Sequence, residues 1–406
     1  MEEWKKYKLS DICDLIAGFA FKSVDFGTEG VSVVKIKDIQ PPFVNLDDAD
    51  KVNLTAYDTV KLKKFLISKG DFLLAMTGAT IGKIGKYISN EQSYLNQRVL
   101  KFLPKQQVDS KFVYYSLLTN AFQLYILNHI DSDSAQPNIS ANTIGKYELS
   151  IPCIRTQKRI ADILSSLDDK IELNRRINDN LEQQAQALYK SWFVDFEPFR
   201  EGEFVDSELG MIPKGWRVVS LGEVTKQITE KVGNREDVTV LSPINSGELV
   251  LSEEYFTKQV FSKDLSKYLI VNPLSFAYNP ARINIGSIGL NTFNFVGCVS
   301  PAYVVFECEP NYQYFFDFFK RTATFKDEVA LRSIGGVRQS LGYNDLSLIK
   351  TIYPTPDVVV EFNNLYLKMK EVMIKNTAQN EKIISLRDSL LPKLMSGELK
   401  INDLNS

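Results

Sequence analysis

The stretch that decides the fold runs from Thr156 to Phe199 and reads TQKRIADILSSLDDKIELNRRINDNLEQQAQALYKSWFVDFEPF. Apolar or amide side chains recur in it at alternating steps of four and three residues, which is the heptad spacing of a coiled-coil seam. No proline or glycine lies between Pro152 and Pro198. The pattern predicts one long helix, of roughly 55 Å at about 1.5 Å per residue. Its seam positions are Ile160, Leu164, Leu167, Ile171, Asn174, Asn178, Leu181, Ala185, Leu188 and Trp192.

A second copy of this seam follows 202 residues later in the chain. Both asparagines are kept, since Asn174 and Asn178 recur as Asn376 and Asn380. A buried amide costs stability but sets register, because it needs a polar group opposite it. We therefore expect the two helices to pair antiparallel with their asparagine layers facing each other. The second seam consists of Phe362, Tyr366, Met369, Met373, Asn376, Asn380, Ile383, Arg387, Leu390 and Leu394.

Composition describes an ordinary globular protein of two or three domains. The chain has 406 residues, of which 44% are hydrophobic and 24% charged. It has neither an apolar run of membrane-spanning length nor a leader-like start, so we expect a cytoplasmic protein with no membrane segment. The net charge is −2, whereas a protein that held DNA by phosphate neutralisation alone would usually be more basic. A partner is therefore expected to supply much of any DNA clamp.

The cysteines and the single histidine predict no metal site. Cys298 and Cys308 lie in an apolar, strand-like stretch and are expected to be packed, reduced thiols. His129 follows an apolar run with helical spacing, which favours a packing or helix-end role over a ligand or a catalytic triad.

The regions before the two long helices repeat the same plan. Phe72, Gly82 and Gly85 have counterparts 204 residues later, at Phe276, Gly286 and Gly289. An offset that stays nearly constant over so many residues predicts a tandem duplication with an internal two-fold axis. We expect an α+β fold in each copy. In the first copy we expect a short amphipathic turn over 11–18, a strand over 94–103 and a glycine-rich hairpin or loop over 77–85.

Two like modules held a fixed distance apart suit a ligand with two parts, and a DNA duplex with two half-sites is such a ligand. Four segments carry a family resemblance, namely QKRIA (157–161) leading to SWFVDF (191–196), YNPAR (278–282), SPAY (300–303) and LLPKLMSG (390–397). They closely resemble type I restriction–modification DNA specificity subunits. The resemblance spans essentially the whole chain.

The resemblance implies a non-catalytic subunit in which two target recognition domains each read one half of a split target in double-stranded DNA. An antiparallel coiled coil of two long helices would space the domains and dock two methyltransferase subunits. By this resemblance the partners would methylate adenine at N6 with S-adenosylmethionine, and restriction/motor subunits would use ATP and magnesium in a prokaryotic cytoplasm. This chain itself would bind no cofactor. The implied domains are residues 1–152 and 200–354, and the helical regions are 153–199 and 355–406.

Base readers are expected among Arg, Lys, Asn, Gln and small hydroxyl side chains in loops, since these pair with base edges. Helix positions off the seam are candidates for partner docking, at Arg175, Arg176, Gln183 and Gln184. The DNA-binding candidates are Thr77, Thr80, Lys83, Lys86, Asn96, Gln97 and Arg98 in the first domain, and Asn279, Arg282, Asn284, Ser287, Arg338 and Gln339 in the second.

Two other functions remain open from the residues alone. One is a bipartite DNA-binding or scaffold protein that works without methyltransferase partners. The other is an enzyme with a hidden methyltransferase or nuclease site. The stretch GATIGK (78–83) is one residue short of a P-loop, and QPPF (40–43) departs from the methyltransferase loop at its first residue. These departures favour structural turns over catalytic ones.

Overall fold

The computed structural model describes residues 4–131, 137–256, 261–333 and 340–399. They form two compact units, one made of residues 1–175 with 377–406 and the other of residues 176–376. Both boundaries between the units fall inside the predicted long helices.

The first half of the chain alternates short strands and short helices before one long helix. Its strands are β1 (Lys5–Lys8), β2 (Cys13–Ala17), β3 (Phe26–Gly27), β4 (Val31–Val34), β5 (Ile39–Gln40), β6 (Phe43–Val44), β7 (Asp50–Val52), β8 (Leu66–Ile67), β9 (Phe72–Ala75), β10 (Ile84–Lys86), β11 (Ser93–Leu95), β12 (Val99–Pro104) and β13 (Glu148–Ile151). Its helices are α1 (Leu9–Ile12), α2 (Thr59–Leu62), α3 (Ser110–Leu117), α4 (Asn120–Asn128), α5 (Ala141–Gly145) and α6 (Ile154–Phe193).

The second half follows the same plan. Its strands are β14 (Phe204–Ser207), β15 (Gly210–Pro213), β16 (Arg217–Ser220), β17 (Thr225–Ile228), β18 (Thr239–Pro243), β19 (Leu249–Leu251), β20 (Leu269–Val271), β21 (Phe276–Tyr278), β22 (Ile288–Leu290), β23 (Gly297–Val299), β24 (Val304–Cys308) and β25 (Lys350–Tyr353). Its helices are α7 (Leu221–Val224), α8 (Ser252–Tyr255), α9 (Gln313–Phe319), α10 (Ala323–Ser333), α11 (Tyr343–Leu346) and α12 (Pro356–Ser396).

The sheets confirm the predicted α+β fold and its duplication. In the first unit one sheet has the order β2-β12-β9-β10-β6-β5, and in the second unit β17-β24-β21-β22 repeats its first part. The other main sheets are β3-β7-β4-β11-β8 and β19-β18-β23-β20, and the edge pair β1-β13 recurs as β16-β25. A parallel pairing, β4 with β11 and β18 with β23, recurs at the same place in each.

The aromatic packing repeats residue by residue. Phe72 stacks on Phe102 with ring centroids 5.4 Å apart, and their counterparts Phe276 and Phe306 stack at 5.1 Å. Alternate residues of β9 face two different cores: Phe72 and Leu74 pack towards the helices, while Leu73 and Ala75 pack against the other sheet. Because a strand alternates its faces, both sides of β9 are apolar and only its end is free to carry polar groups.

The long helices are built into the two cores. Helix α6 has 40 residues and α12 has 41, and every seam position is buried or partly buried. In the second unit Phe362 is fully buried against Tyr189 and Phe193. Burying one such side chain stabilises the folded state by roughly 2–3 kcal/mol. Within each unit the two helix segments run antiparallel, as the seam predicts.

The end of the first long helix differs from the prediction. Helix α6 ends at Phe193, and Glu197–Phe199 forms a separate 3-10 turn. Phe196 has φ 53°, a left-handed conformation that stops a helix, and Pro198 follows it. Residues 194–199 therefore lie outside the helix.

Two predicted elements of the first domain were also wrong. Residues 11–18 form the end of α1 and strand β2 rather than a turn, because β2 pairs with β12 along its length. The expected strand over 94–103 is two strands, β11 and β12, which belong to different sheets. The chain changes sheets at 96–98, so these three residues form a turn at the edge of both.

Candidate nucleic-acid interface

The glycine-rich segment of the first domain is a tight connection between β9 and β10. A 3-10 turn covers Gly78–Thr80, and Gly82 adopts φ 81°, a conformation that favours glycine. The backbone nitrogen of Gly82 donates to the carbonyl oxygen of Ala75 at 2.9 Å, which closes the connection. Lys83 is exposed at its end, and Thr80 is partly exposed.

The turn at 96–98 lies next to this connection. The backbone nitrogen of Met76 donates to the carbonyl oxygen of Arg98 at 3.0 Å. Asn96 is partly exposed, whereas Gln97 and Arg98 are exposed. The first domain therefore brings two polar turns, 77–83 and 96–98, to the same strand ends.

The second domain carries a comparable loop between β21 and β22. The side-chain oxygen of Asn279 accepts from the backbone nitrogen of Ala281 at 3.0 Å, and Gly286 has φ 92°. Arg282 and Asn284 are exposed within it. Arg338 and Gln339, the other predicted readers, lie outside the described residues.

Two candidates are buried and we do not retain them as base readers. Thr77 and Ser287 are each 3% exposed. The Ser287 hydroxyl donates to the carbonyl oxygen of Pro243 at 2.8 Å, so it holds the loop to the neighbouring turn. The Thr77 hydroxyl is buried without a partner among the described residues. A side chain with this burial offers no group to a base edge.

Lys86 lies in a different environment from the other candidates. With Pro42, Tyr114, Ile171 and Leu391 it lines a cavity of about 450 Å³ inside the first unit. Its backbone nitrogen donates to the carbonyl oxygen of Pro42 at 2.9 Å. The sequence pattern could not separate Lys86 from Lys83, because they differ only in which elements lie opposite them.

In each domain a neighbouring turn packs closely against a glycine of the strand that follows the polar loop. A Cβ on Gly85 would lie 2.7 Å from the carbonyl oxygen of Phe43, and one on Gly289 would lie 2.5 Å from the backbone of Glu248. Distances this short leave no room for a side chain. The two glycines therefore mark equivalent places, where 40–43 in one domain and 244–248 in the other pack on the hairpin.

One buried carboxyl lies near the first of these turns. Asp38 is 3% exposed, and one of its carboxylate oxygens accepts from the backbone nitrogen of Lys35 at 2.7 Å. Burial raises the pKa of Asp38 from 3.8 to about 6, although that hydrogen bond and the nearby lysines oppose the shift.

The helix-register residues pair as the sequence predicts. In the first unit the side-chain nitrogen of Asn174 donates to the side-chain oxygen of Asn380 at 2.8 Å. In the second unit that of Asn376 donates to the side-chain oxygen of Asn178 at 2.9 Å.

The docking candidates on α6 fall into two groups. Arg176, Gln183 and Gln184 are exposed. The guanidinium of Arg175 instead lies 5.9 Å from the ring of Phe43 and is partly buried. Arg175 is therefore committed to an internal contact, because a guanidinium over an aromatic face is attracted to it.

The remaining chemistry-bearing residues have structural roles. Cys298 and Cys308 are buried free thiols, as expected, and burial raises their pKa values to about 11 and about 12. His129 caps the end of α4, with its Nδ1 atom 2.8 Å from the carbonyl oxygen of Tyr125. Among the described residues no group of three or more His, Cys, Asp and Glu side chains is arranged to hold a metal ion. None of the helices within the described ranges is long and apolar enough to cross a membrane.

Comparison with known proteins gives a consistent result over the whole chain. Residues 1–183 match the family described as the type I restriction modification DNA specificity domain. The chain is 26% identical to the type I restriction enzyme MjaIX specificity subunit of Methanocaldococcus jannaschii, over 99% of this chain and 95% of that protein. It is 24% identical to the HindI specificity subunit of Haemophilus influenzae, over 98% and 100%.

A solved structure supports the fold. The crystal structure of the type I restriction–modification S subunit from M. genitalium aligns with a TM-score of 0.55 and 16% identity, covering 97% of this chain and 96% of that one.

The duplicated α+β domains and the paired long helices form the fold that this chain shares with that S subunit. Residues 1–183 match the specificity domain, and the chain is similar along nearly its whole length to DNA specificity subunits of type I restriction–modification systems. The names of these relatives agree with the predicted function, a DNA specificity subunit of a type I restriction–modification system.

Proposed function

We propose that each globular domain of this chain reads one half of a bipartite target in double-stranded DNA. The observation that carries the proposal is the repeated polar loop at equivalent strand ends: Lys83, Gln97 and Arg98 are exposed in one domain, and Arg282 and Asn284 in the other. Side chains of these types form bidentate contacts with guanine and adenine in the major groove. We assign the two recognition domains to residues 1–152 and 200–354.

The helical regions 153–199 and 355–406 would set the gap between the half-sites and dock two methyltransferase subunits. The exposed residues Arg176, Gln183 and Gln184 support a docking role for α6, since they lie off the seam. Arg175 is a weaker docking candidate, because its guanidinium already packs on Phe43.

Partner subunits would supply the chemistry and much of the grip on DNA. The net charge of −2 supports this division, because tight binding by one protein alone normally needs many phosphate contacts from Lys and Arg. S-adenosylmethionine would bind to the methyltransferase subunits, and ATP with magnesium to the restriction subunits. All of this would take place in the cytoplasm of a prokaryotic cell.

The test is co-expression of this chain with the methyltransferase subunits of its own system, followed by mapping of N6-methyladenine in host DNA. We expect a split motif with a constant gap that disappears when this chain is omitted. A continuous motif, or methylation that persists without this chain, would contradict the proposal. Co-purification with the methyltransferase subunits separates it from a stand-alone DNA-binding or scaffold protein.

A further inference from the structure

A buried lysine joins two parts of the second recognition domain. The side chain of Lys320, just after α9, is 4% exposed. Its ammonium lies 2.7 Å from a carboxylate oxygen of Asp317 and donates to the carbonyl oxygens of Gly247 at 2.6 Å and Ile288 at 3.2 Å. An ammonium has three N–H donors, so these three acceptors satisfy it. Burial lowers the pKa of Lys320, and the neighbouring carboxylate of Asp317 opposes that shift.

The two carbonyl groups belong to the two segments that frame the polar loop. Gly247 lies in the turn between β18 and β19, and Ile288 begins β22 directly after the loop. The Ser287 hydroxyl donates to Pro243 at the other end of that turn. A Cβ on Gly286 would lie 2.6 Å from the carbonyl oxygen of Asn245, so loop and turn are also in close backbone contact. Lys320 therefore holds the 244–248 turn against the base of the loop that carries Arg282 and Asn284.

The same carboxylate connects this cluster to the long helix within the second unit. Asp317 also pairs with Arg321 at 2.8 Å, and Arg321 pairs with Glu182 of α6. Asp317 is 10% exposed and Glu182 is 35% exposed, so the connection becomes more solvated towards the helix. A buried charge that loses its partner is strongly unfavourable, which makes the inner part of this network hard to rearrange.

In the first domain, the corresponding turn is held against the hairpin without these charged side chains. At the corresponding positions, 203 residues earlier, the chain has Tyr114, Leu117 and Leu118, since Thr119 and Phe122 match Thr322 and Phe325 in the same capping contact. Leu117, in the place of Lys320, is fully buried and carries no polar group. The turn at 40–43 is held instead by the backbone bond to Lys86 and by the Phe43–Arg175 contact. The lysine network is thus particular to the second domain.

We propose that Lys320 is a positioning residue for the second half-site, holding the 244–248 turn and the 282–287 loop as one DNA-reading surface aligned with α6 through Asp317, Arg321 and Glu182. The inference rests on the proposed function, because it presumes that this loop reads DNA. It differs from that proposal in naming a buried residue that touches no base.

The experiment uses the complex of this chain with its methyltransferase subunits and measures methylation rates on the target and on single-base variants of each half-site. Arg282→Ala first identifies which half-site the second domain reads. Lys320→Met keeps the volume but removes the cation. We expect it to lower discrimination at that same half-site about tenfold or more and to leave discrimination at the other half-site unchanged. Leu117→Met, at the corresponding position of the first domain, is the matched control and should change neither.

Two outcomes would overturn the positioning role of Lys320. One is an equal loss of discrimination at both half-sites, and the other is unchanged discrimination in a folded complex. If Lys320→Met fails to assemble, Glu182→Gln tests the outer end of the network and should give a smaller loss confined to the same half-site; an unchanged profile would then count against the inference. Failure of the proposed function is distinguishable, because the unmodified complex would then show no split target.

Discussion

The side-chain nitrogen of Asn174 donates to the side-chain oxygen of Asn380, 206 residues away in the chain, at 2.8 Å. Asn174 is fully buried and also donates to Gln379 at 2.9 Å, while Asn380 donates to the carbonyl oxygen of Ile171 at 3.3 Å. These bonds lie inside a mainly apolar seam, so a shift of one helix along the other would leave buried amides without partners.

Replacing one of these amides should destabilise more than replacing both. Asn174→Leu removes the donor and leaves Asn380 partly unsatisfied, which we expect to lower the free energy of unfolding by about 1–3 kcal/mol. The double variant Asn174→Leu, Asn380→Leu should recover most of this loss, because it leaves no orphaned amide at this layer. Urea denaturation of the parent, Asn174→Leu, Asn380→Leu and the double variant measures the difference. If the double variant loses as much as the sum of the two single changes, the pairing is not what stabilises this layer.

The buried carboxyl of Asp38 predicts a pH effect with a definite sign. Its folded pKa of about 6 lies above its ordinary value of 3.8, so its contribution is most favourable below about pH 4 and is lost as the pH rises through 6. Asp38→Asn keeps an acceptor for the Lys35 backbone nitrogen without the charge. At roughly 1.4 kcal/mol per pKa unit, we expect this variant to be about 1–3 kcal/mol more stable than the parent at pH 7 and equal to it near pH 4.

The measurement for Asp38 is the difference in urea midpoint between variant and parent from pH 4 to pH 8. Asp48→Asn, at an exposed site nearby, is the control and should show little difference at any pH. A difference for Asp38→Asn that stays constant with pH would mean that the carboxyl charge is not its cause.

The exposed arginines should act on separate half-sites. Arg98→Ala and Arg282→Ala should each weaken recognition of one half of the target by about 1–3 kcal/mol, the usual worth of a bidentate base contact, and leave the other half unchanged. Thr77→Val is the matched control, because it replaces a buried hydroxyl without a described partner by a methyl group. Methylation rates on half-site variants give the result. Loss at both halves from one arginine would contradict separate reading domains.

The length of α6 should affect the gap in the target. Four residues inserted after Asn178 add about 6 Å of rise and exceed one helical turn by about 40°, a stutter that a coiled coil can absorb by local unwinding. Since DNA rises about 3.4 Å per base pair, we expect the gap to grow by one or two base pairs with both half-site sequences unchanged.

Methylation mapping of the insertion variant decides whether the helices set the gap. A second variant with a matching insertion immediately before Asn376, at the antiparallel position in α12, keeps both asparagine pairs and should give a larger increase in the gap. An unchanged gap with full activity would show that something other than these helices sets the distance.

Much of the fold could be predicted from the spacing of residues along the chain. The heptad steps and the repeat of Asn174 and Asn178 as Asn376 and Asn380 require only that a helix brings every third or fourth residue to one face. The pairs Gly82 with Gly286 and Gly85 with Gly289 were likewise visible, because backbone conformations and close contacts that exclude a side chain restrict those positions to glycine.

The recognition surface was only partly readable. Lys83 and Lys86 look equivalent in the sequence, yet their exposure differs because exposure depends on which segments pack over each strand end. The sequence predicted Ser287 as a base reader, but its hydroxyl is buried and donates to the carbonyl oxygen of Pro243. The sequence predicted Arg175 as a helix residue available for partner docking, but its guanidinium lies near the ring of Phe43.

The sequence by itself determined the long helices, their asparagine register and the duplication of the domains, because these follow from local periodicity and from a constant offset along the chain. Only the tertiary structure decided which polar side chains reach the surface and how Lys320, Asp317, Arg321 and Glu182 are connected. The reason is physical: desolvation and charge pairing depend on distances of a few ångströms between groups such as Glu182 and Arg321, which lie 139 residues apart in the chain.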